Sequence, residues 1–160
     1  MANLSNTRAL DPLVLQLDSS GFRNFAKLRS GAGELRIFVP YTSHESTRAA
    51  LTEAVGLVKS LHAHITLFAV QIVPFLLPLE RPDVAPEFLE QRLLAIADEM
   101  KAQVDVQLIR ARDLDCGMQR ILAPNSLVVV ATKKRWWPTS EIKLARALAR
   151  AGHDVALLEV

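Results

Sequence analysis

Ser126-Leu127-Val128-Val129-Val130-Ala131-Thr132 is the stretch on which the fold of this chain turns. Its unbroken apolar run from Leu127 to Ala131 is of the kind that occupies the middle of a parallel sheet with both faces covered. On the C-terminal side the spacing predicts a helix over about Thr139–Ala151, stopped by Gly152, and then a fifth strand, Val155-Ala156-Leu157-Leu158. On the N-terminal side it predicts a short helix at about Cys116–Ala123, a third strand from Val104 to Ile109, and a helix carrying Phe88, Leu89, Leu93, Ile96, Ala97 and Met100.

Further out, Leu35-Arg36-Ile37-Phe38-Val39 is a β-rich run that ends at Pro40. Thr42-Ser43-His44-Glu45 follows as a capping box for a helix with Leu51, Ala54, Val55, Val58 and Leu61 on one face. His64 to Val73 is the second strand. Between Pro74 and Pro86 stand four of the eight prolines, one every fourth residue, which excludes helix and internal strand and predicts an extended loop. The order βαβαβαβαβ predicts an α/β fold of three α-β-α layers, with a five-stranded parallel sheet and right-handed crossovers.

Composition agrees with a folded domain. Of 160 residues, half are hydrophobic and 22% charged, which excludes disorder and collagen-like repeats. A chain of this length buries roughly 70% of its unfolded surface, so it needs no disulfide or metal staple. Its single cysteine, Cys116, cannot form an internal bridge, and there is no basic-apolar-small leader, so the expected setting is a reducing cytoplasm. No apolar run approaches the ~18 residues of a membrane helix. Residues 1–33 read as an N-terminal extension rich in Ser, Asn and Gly, with Phe22 and Phe25 at helical spacing. Residues 34–160 read as the domain proper.

The net charge of +2 is too small for wholesale nucleic-acid binding, but it is unevenly placed. From Ser126 to Gly152 there are six basic residues (Lys133, Lys134, Arg135, Lys143, Arg146 and Arg150) against one acid, Glu141. Lys143, Arg146 and Arg150 form a solvated helical stripe, and no nucleic-acid motif accompanies them.

In doubly wound sheets, ligands sit beyond the carboxyl ends of strands where the strand order reverses. If the first and fourth strands are neighbours, that rule selects Tyr41, Thr42 and Ser43 after the first. After the fourth it selects Thr132, Lys133, Lys134, Arg135, Trp136, Thr139 and Ser140. Cations, indoles and a helix start coincide there, which suits a phosphate-bearing or otherwise anionic ligand. Elsewhere the chemistry is sparse. His62 and His64 lack a further metal ligand at a suitable spacing, Asp113 and Asp115 read as a polar turn and helix cap, and Cys116 has no adjacent base. No nucleophile elbow, Walker loop or zinc spacing is present, so no catalytic residue is assigned and the chain is read as a non-enzyme.

Residues 34–160 resemble a universal stress protein domain. The resemblance rests on Ile37-Phe38-Val39-Pro40-Tyr41-Thr42-Ser43-His44-Glu45-Ser46-Thr47-Arg48-Ala49-Ala50-Leu51, on Ala63-His64-Ile65-Thr66-Leu67-Phe68-Ala69-Val70, and on Ser126–Val130 in the fourth-strand place. It implies a sheet of order 3-2-1-4-5 and a homodimer through the fifth strand, Val155–Val160. The departures from the family pattern concern ATP. Thr42 stands where ATP-binding members have Asp, and their Gly-x-x-Gly and Gly-Ser or Gly-Thr positions fall on Ala131, Lys134, Leu144 and Ala145. Backbone that must approach phosphate closely tolerates no Cβ, so no family-type ATP site and no bound cofactor is expected. The function expected from the sequence is a stress-response or regulatory module. The alternative is a sensor that holds a nucleotide or other anion by side chains.

Overall fold

The computed structural model describes residues 34–58, 63–82, 84–122, 126–134, 137 and 139–160, together with the backbone of residues 14–17. Ten elements follow one another as β1 (Val14–Leu17), β2 (Leu35–Pro40), α1 (His44–Val58), β3 (Ala63–Ile72), α2 (Pro86–Glu99), β4 (Asp105–Ala111), α3 (Leu114–Ile121), β5 (Ser126–Thr132), α4 (Ser140–Arg150) and β6 (Asp154–Glu159). One parallel sheet runs in the order β1-β6-β5-β2-β3-β4. The five expected strands are β2 to β6, and they stand in the order 3-2-1-4-5.

Two cores sandwich this sheet, as the alternation of side chains along each strand requires. Ile37, Val39, Ile65, Leu67, Leu127 and Val129 meet Leu51 and Ala54 of α1 and Leu93 and Ile96 of α2 on one face. Phe38, Phe68, Val128, Val130, Val155 and Leu157 meet Met118 and Ile121 of α3 and Ala145 and Leu148 of α4 on the other. All seven residues of β5 are buried, because it lies in the middle of the sheet with helices on both sides. Phe38 and Phe68 meet edge to face at 6.2 Å, and Gly117 lets α3 come down onto Val70 of β3.

Two local features differ from the sequence reading. The first is the sixth strand. β1, from the segment read as an extension, pairs with β6 in the register Val14 to Val155 through Leu17 to Leu158. A parallel edge leaves amides and carbonyls unpaired, and here the chain's own N-terminal segment takes them up along Val155–Leu158. The edge expected to receive a second copy is therefore occupied over those four residues. The helical spacing around Phe22 and Phe25 lies outside the described residues.

The second is the proline segment, which is folded into tandem turns rather than extended. Leu77 donates its amide to the carbonyl of Pro74 at 3.0 Å, and Arg81 donates to that of Pro78 at 3.0 Å. Each turn opens on a proline, whose carbonyl accepts even though its nitrogen cannot donate. Pro86 then occupies the first turn of α2, where a missing amide hydrogen costs nothing.

Candidate functional site

β2 and β5 are direct neighbours whose connections leave in opposite directions, to β3 on one side and β6 on the other. The switch point assumed from the sequence therefore exists, and the loops after β2 and β5 open at the same end of the sheet.

The starts of α1 and α4 converge there, and both are capped from within. Ser43 Oγ accepts from the amide of Ser46 at 3.2 Å, and Thr47 Oγ1 accepts from that of Thr42 at 3.1 Å. Thr139 Oγ1 accepts from the amide of Ile142 at 3.3 Å and shares a 2.9 Å hydrogen bond with Thr132 Oγ1. Because the hydroxyl cap of α1 is Ser43 and not Thr42, Glu45 is one position short of the reciprocal capping partner. It reaches instead across the cleft to Lys133, with Oε2 2.7 Å from Nζ.

Between the two helix starts lies a cleft of about 410 Å³. Ser43, Glu45 and Ser46 form one wall, and Lys133, Trp137, Thr139, Ser140 and Glu141 form the other. Glu141 ties the walls together. Its Oε1 accepts from Ser46 Oγ at 3.3 Å and its Oε2 from Ser140 Oγ at 3.2 Å. Burial opposes ionisation of this carboxyl. Hydrogen bonds from its own backbone amide and from the hydroxyls of Thr139, Ser140 and Ser46 outweigh that cost and hold its pKa below the ordinary value.

The sequence-derived candidates divide accordingly. Ser43, Lys133, Thr139 and Ser140 line the cleft, and Thr132 is buried beneath it, bonded to Thr139. Thr42 contributes its amide to the turn into α1. Tyr41 does not line the cleft; its amide donates to the carbonyl of Phe68 at 2.7 Å, and its ring packs against the core under α1 and α2. Lys134 is exposed and also outside the lining. Arg135 and Trp136 lie outside the described residues.

Three lining residues were not foreseen, Glu45, Ser46 and Glu141, whereas Trp137 is the second of the two indoles noted in that loop. Glu141 was visible only as the single acid in a basic quarter of the chain, and a carboxylate in the first turn of a helix is usually an ordinary complement to the helix dipole. The lining thus holds two carboxylates to one ammonium, and Glu45 is the one paired with Lys133. The positive field expected from the sequence does not concentrate there among the described residues.

Ala131 is buried in β5 and Ala145 in the core under α4, and neither lines the cleft.

The weaker candidates have structural partners. Asp113 caps α3 by accepting from the amide of Cys116 at 2.7 Å, and that bond holds its carboxyl below the ordinary range. Hydrogen bonding to Asp113 pushes the Cys116 thiol up, which makes it a poor nucleophile. His64 Nε2 lies 2.6 Å from Glu34 Oε1 in an exposed pair. Among the described residues no group of three or more His, Cys, Asp or Glu is placed to hold a metal ion, and no helix is long and apolar enough to cross a membrane.

No family model matches the sequence, and no curated protein matches it. Among solved structures, the chain is similar to a universal stress protein in complex with cAMP, at 14% identity and a TM-score of 0.42. That alignment covers 79% of this chain and 95% of the other.

Proposed function

We propose that this chain is a non-catalytic module of the universal stress protein type, regulatory in role, whose cleft does not hold ATP in that family's usual way. The observation that carries this reading is Glu141. An ionised carboxylate bonded to hydroxyls of both helix starts takes up the donors that would otherwise be offered to a phosphate. The neighbouring Lys133 is engaged by Glu45, and no glycine follows β2 or β5 to admit phosphate to the backbone. The hydroxyls of Ser46 and Ser140 do meet a carboxylate, but Glu141 has its pKa held below the ordinary value and is a weak base, so we read the cleft as non-catalytic. A single cysteine with a raised pKa suits the reducing cytoplasm in which we place the protein. Association of two copies through Val155–Val160 requires β1 to leave β6 or to be exchanged between chains.

A second reading is supported by Lys133 and Trp137 on one wall, an ammonium and an indole 79% exposed. In that reading the cleft senses a nucleotide or other anion through side chains, and the Glu45–Lys133 pair opens to admit it.

Calorimetric titration with Mg-ATP, AMP and inorganic phosphate separates the two. The first reading expects no saturable heat at micromolar ligand and no ATP hydrolysis. It also expects Glu141→Ala to gain phosphate binding that the parent protein lacks. Micromolar, Mg-dependent binding of ATP to the unaltered protein overturns it. Loss of such binding on joint replacement of Lys133, Lys134 and Arg135 by Ala establishes the second.

A further inference from the structure

Away from the cleft, the end of β3 leads into the most exposed apolar side chains of the described molecule. Phe75 is 83% and Leu76 96% exposed, and Ile72 and Phe88 extend the same kind of surface. Apolar groups displayed in this way on a soluble domain mark a contact surface.

The segment that carries them is held in place. Arg112, just after β4, inserts its guanidinium beneath the first turn. Its Nη1 lies 2.6 Å from the carbonyls of Pro74 and Leu77 and 3.3 Å from that of Val73. The same guanidinium lies 5.5 Å from the centre of the Phe75 ring. At the far end Gln71 Nε2 donates to the carbonyl of Val84 at 2.8 Å. Pre-organisation of this sort lowers the entropy lost on association.

Beside the tip lies a groove of about 390 Å³ lined by Leu79, Ala111, Arg112, Cys116, Gln119 and Arg120. It has room for one aromatic and one branched side chain. Its own loop cannot fill it, because the turn that Arg112 fixes sends Phe75 and Leu76 outward. At its rim Arg120 donates to the carbonyl of Arg110 at 3.2 Å but has no carboxylate partner among the described residues. Glu80, exposed in the second turn of the same loop, has no cationic partner there either.

We propose that tip and groove form a two-fold interface between two copies of this chain. Phe75 and Leu76 of each copy enter the groove of the other, and Glu80 of each meets Arg120 of the other. A closed two-fold contact requires one patch to carry both halves of every interaction. This patch carries an apolar projection next to an apolar recess, and an unpaired acid next to an unpaired base. At the opposite edge of the sheet β1 covers β6 over four residues and leaves only its own short edge for strand pairing. A lipid surface is the poorer occupant, because Glu80, Glu87 and Glu90 lie exposed beside the apolar residues and would meet anionic headgroups with like charge.

Sedimentation equilibrium of the full chain tests the proposal. The expected mass is that of two chains in the upper micromolar range, and Phe75→Asp with Leu76→Asp should weaken association at least tenfold while leaving the thermal melt unchanged. Arg120→Glu alone should weaken it, and Glu80→Arg combined with Arg120→Glu should restore it. A one-chain mass at every concentration overturns the proposal, as does a dimer indifferent to the aspartates or a charge exchange that restores nothing. Phe75-dependent flotation of a monomeric protein with phosphatidylcholine vesicles overturns it in favour of lipid.

Discussion

Ser46 Oγ donates to Glu141 Oε1 across 3.3 Å, joining the first turn of α1 to the first turn of α4. The two residues are 95 positions apart in the chain, and the bond closes the cleft at the switch point of the sheet. Both helix starts therefore keep an anion permanently, one that is covalently part of the protein.

A depressed pKa in the folded state ties stability to pH with a definite sign. The contribution of Glu141 is fully present above its ordinary value of 4.5 and is lost as the pH falls below that value through the folded pKa. Denaturant melts of the parent protein and Glu141→Gln should differ at pH 7 and converge toward acid. A difference that stays constant from pH 7 to pH 3 would show that the ionised carboxylate contributes nothing.

Gly117 is required by packing. A Cβ built there would meet both methyl carbons of Val70, the nearer one well inside contact and the other at 2.9 Å. Val70 stands on β3 beneath α3, half-buried and packed against the core between them. Gly117→Ala should cost about 1–3 kcal/mol, the usual range for overpacking, despite the better helix propensity of alanine. Pairing it with Val70→Ala should cost less than the sum of the two single changes, and strict additivity would refute the contact.

The pairing of β1 with β6 predicts what removing it does. Deleting residues 1–17 leaves the amides and carbonyls of Val155–Leu158 unpaired at an open edge. In a background carrying Phe75→Asp and Leu76→Asp, the shortened chain should associate through that edge where the full-length chain does not, with the mass read by light scattering. A shortened chain that stays monomeric at high concentration would show that β6 needs no cover.

How much of this was legible depends on the range over which each signal acts. The five strands β2 to β6 announce themselves locally, since a run such as Leu127–Ala131 suits only a strand covered on both faces. The alternation of Ile37 and Val39 against Phe38 likewise assigns side chains to the two cores. β1 is four residues, Val-Leu-Gln-Leu, with no turn chemistry and a partner at the other end of the chain, so no local pattern marks it. Prolines at 74 and 78 exclude helix and strand, but the conformation adopted is fixed by Arg112, which lies 38 residues after Pro74. The candidate site was found to the level of its loops and not of its charge. The basic run Lys133–Arg135 dominates the sequence, whereas in space Glu45 pairs with Lys133 and Glu141 lines the same cleft.

The place of β1 also bears on the order of assembly. Val14 is made long before Val155, yet they are neighbours in the finished sheet. Pairing at such sequence separation comes late, after β2 to β5 have a surface for β6 to dock on. Of the described strands β1 is thus the first made and the last that can be placed, and until β6 is in place it must wait with its backbone groups in water. A nascent chain stalled before Asp154 would carry an open edge at β5 and an unpaired strand at its N-terminus, both suited to capture by another chain.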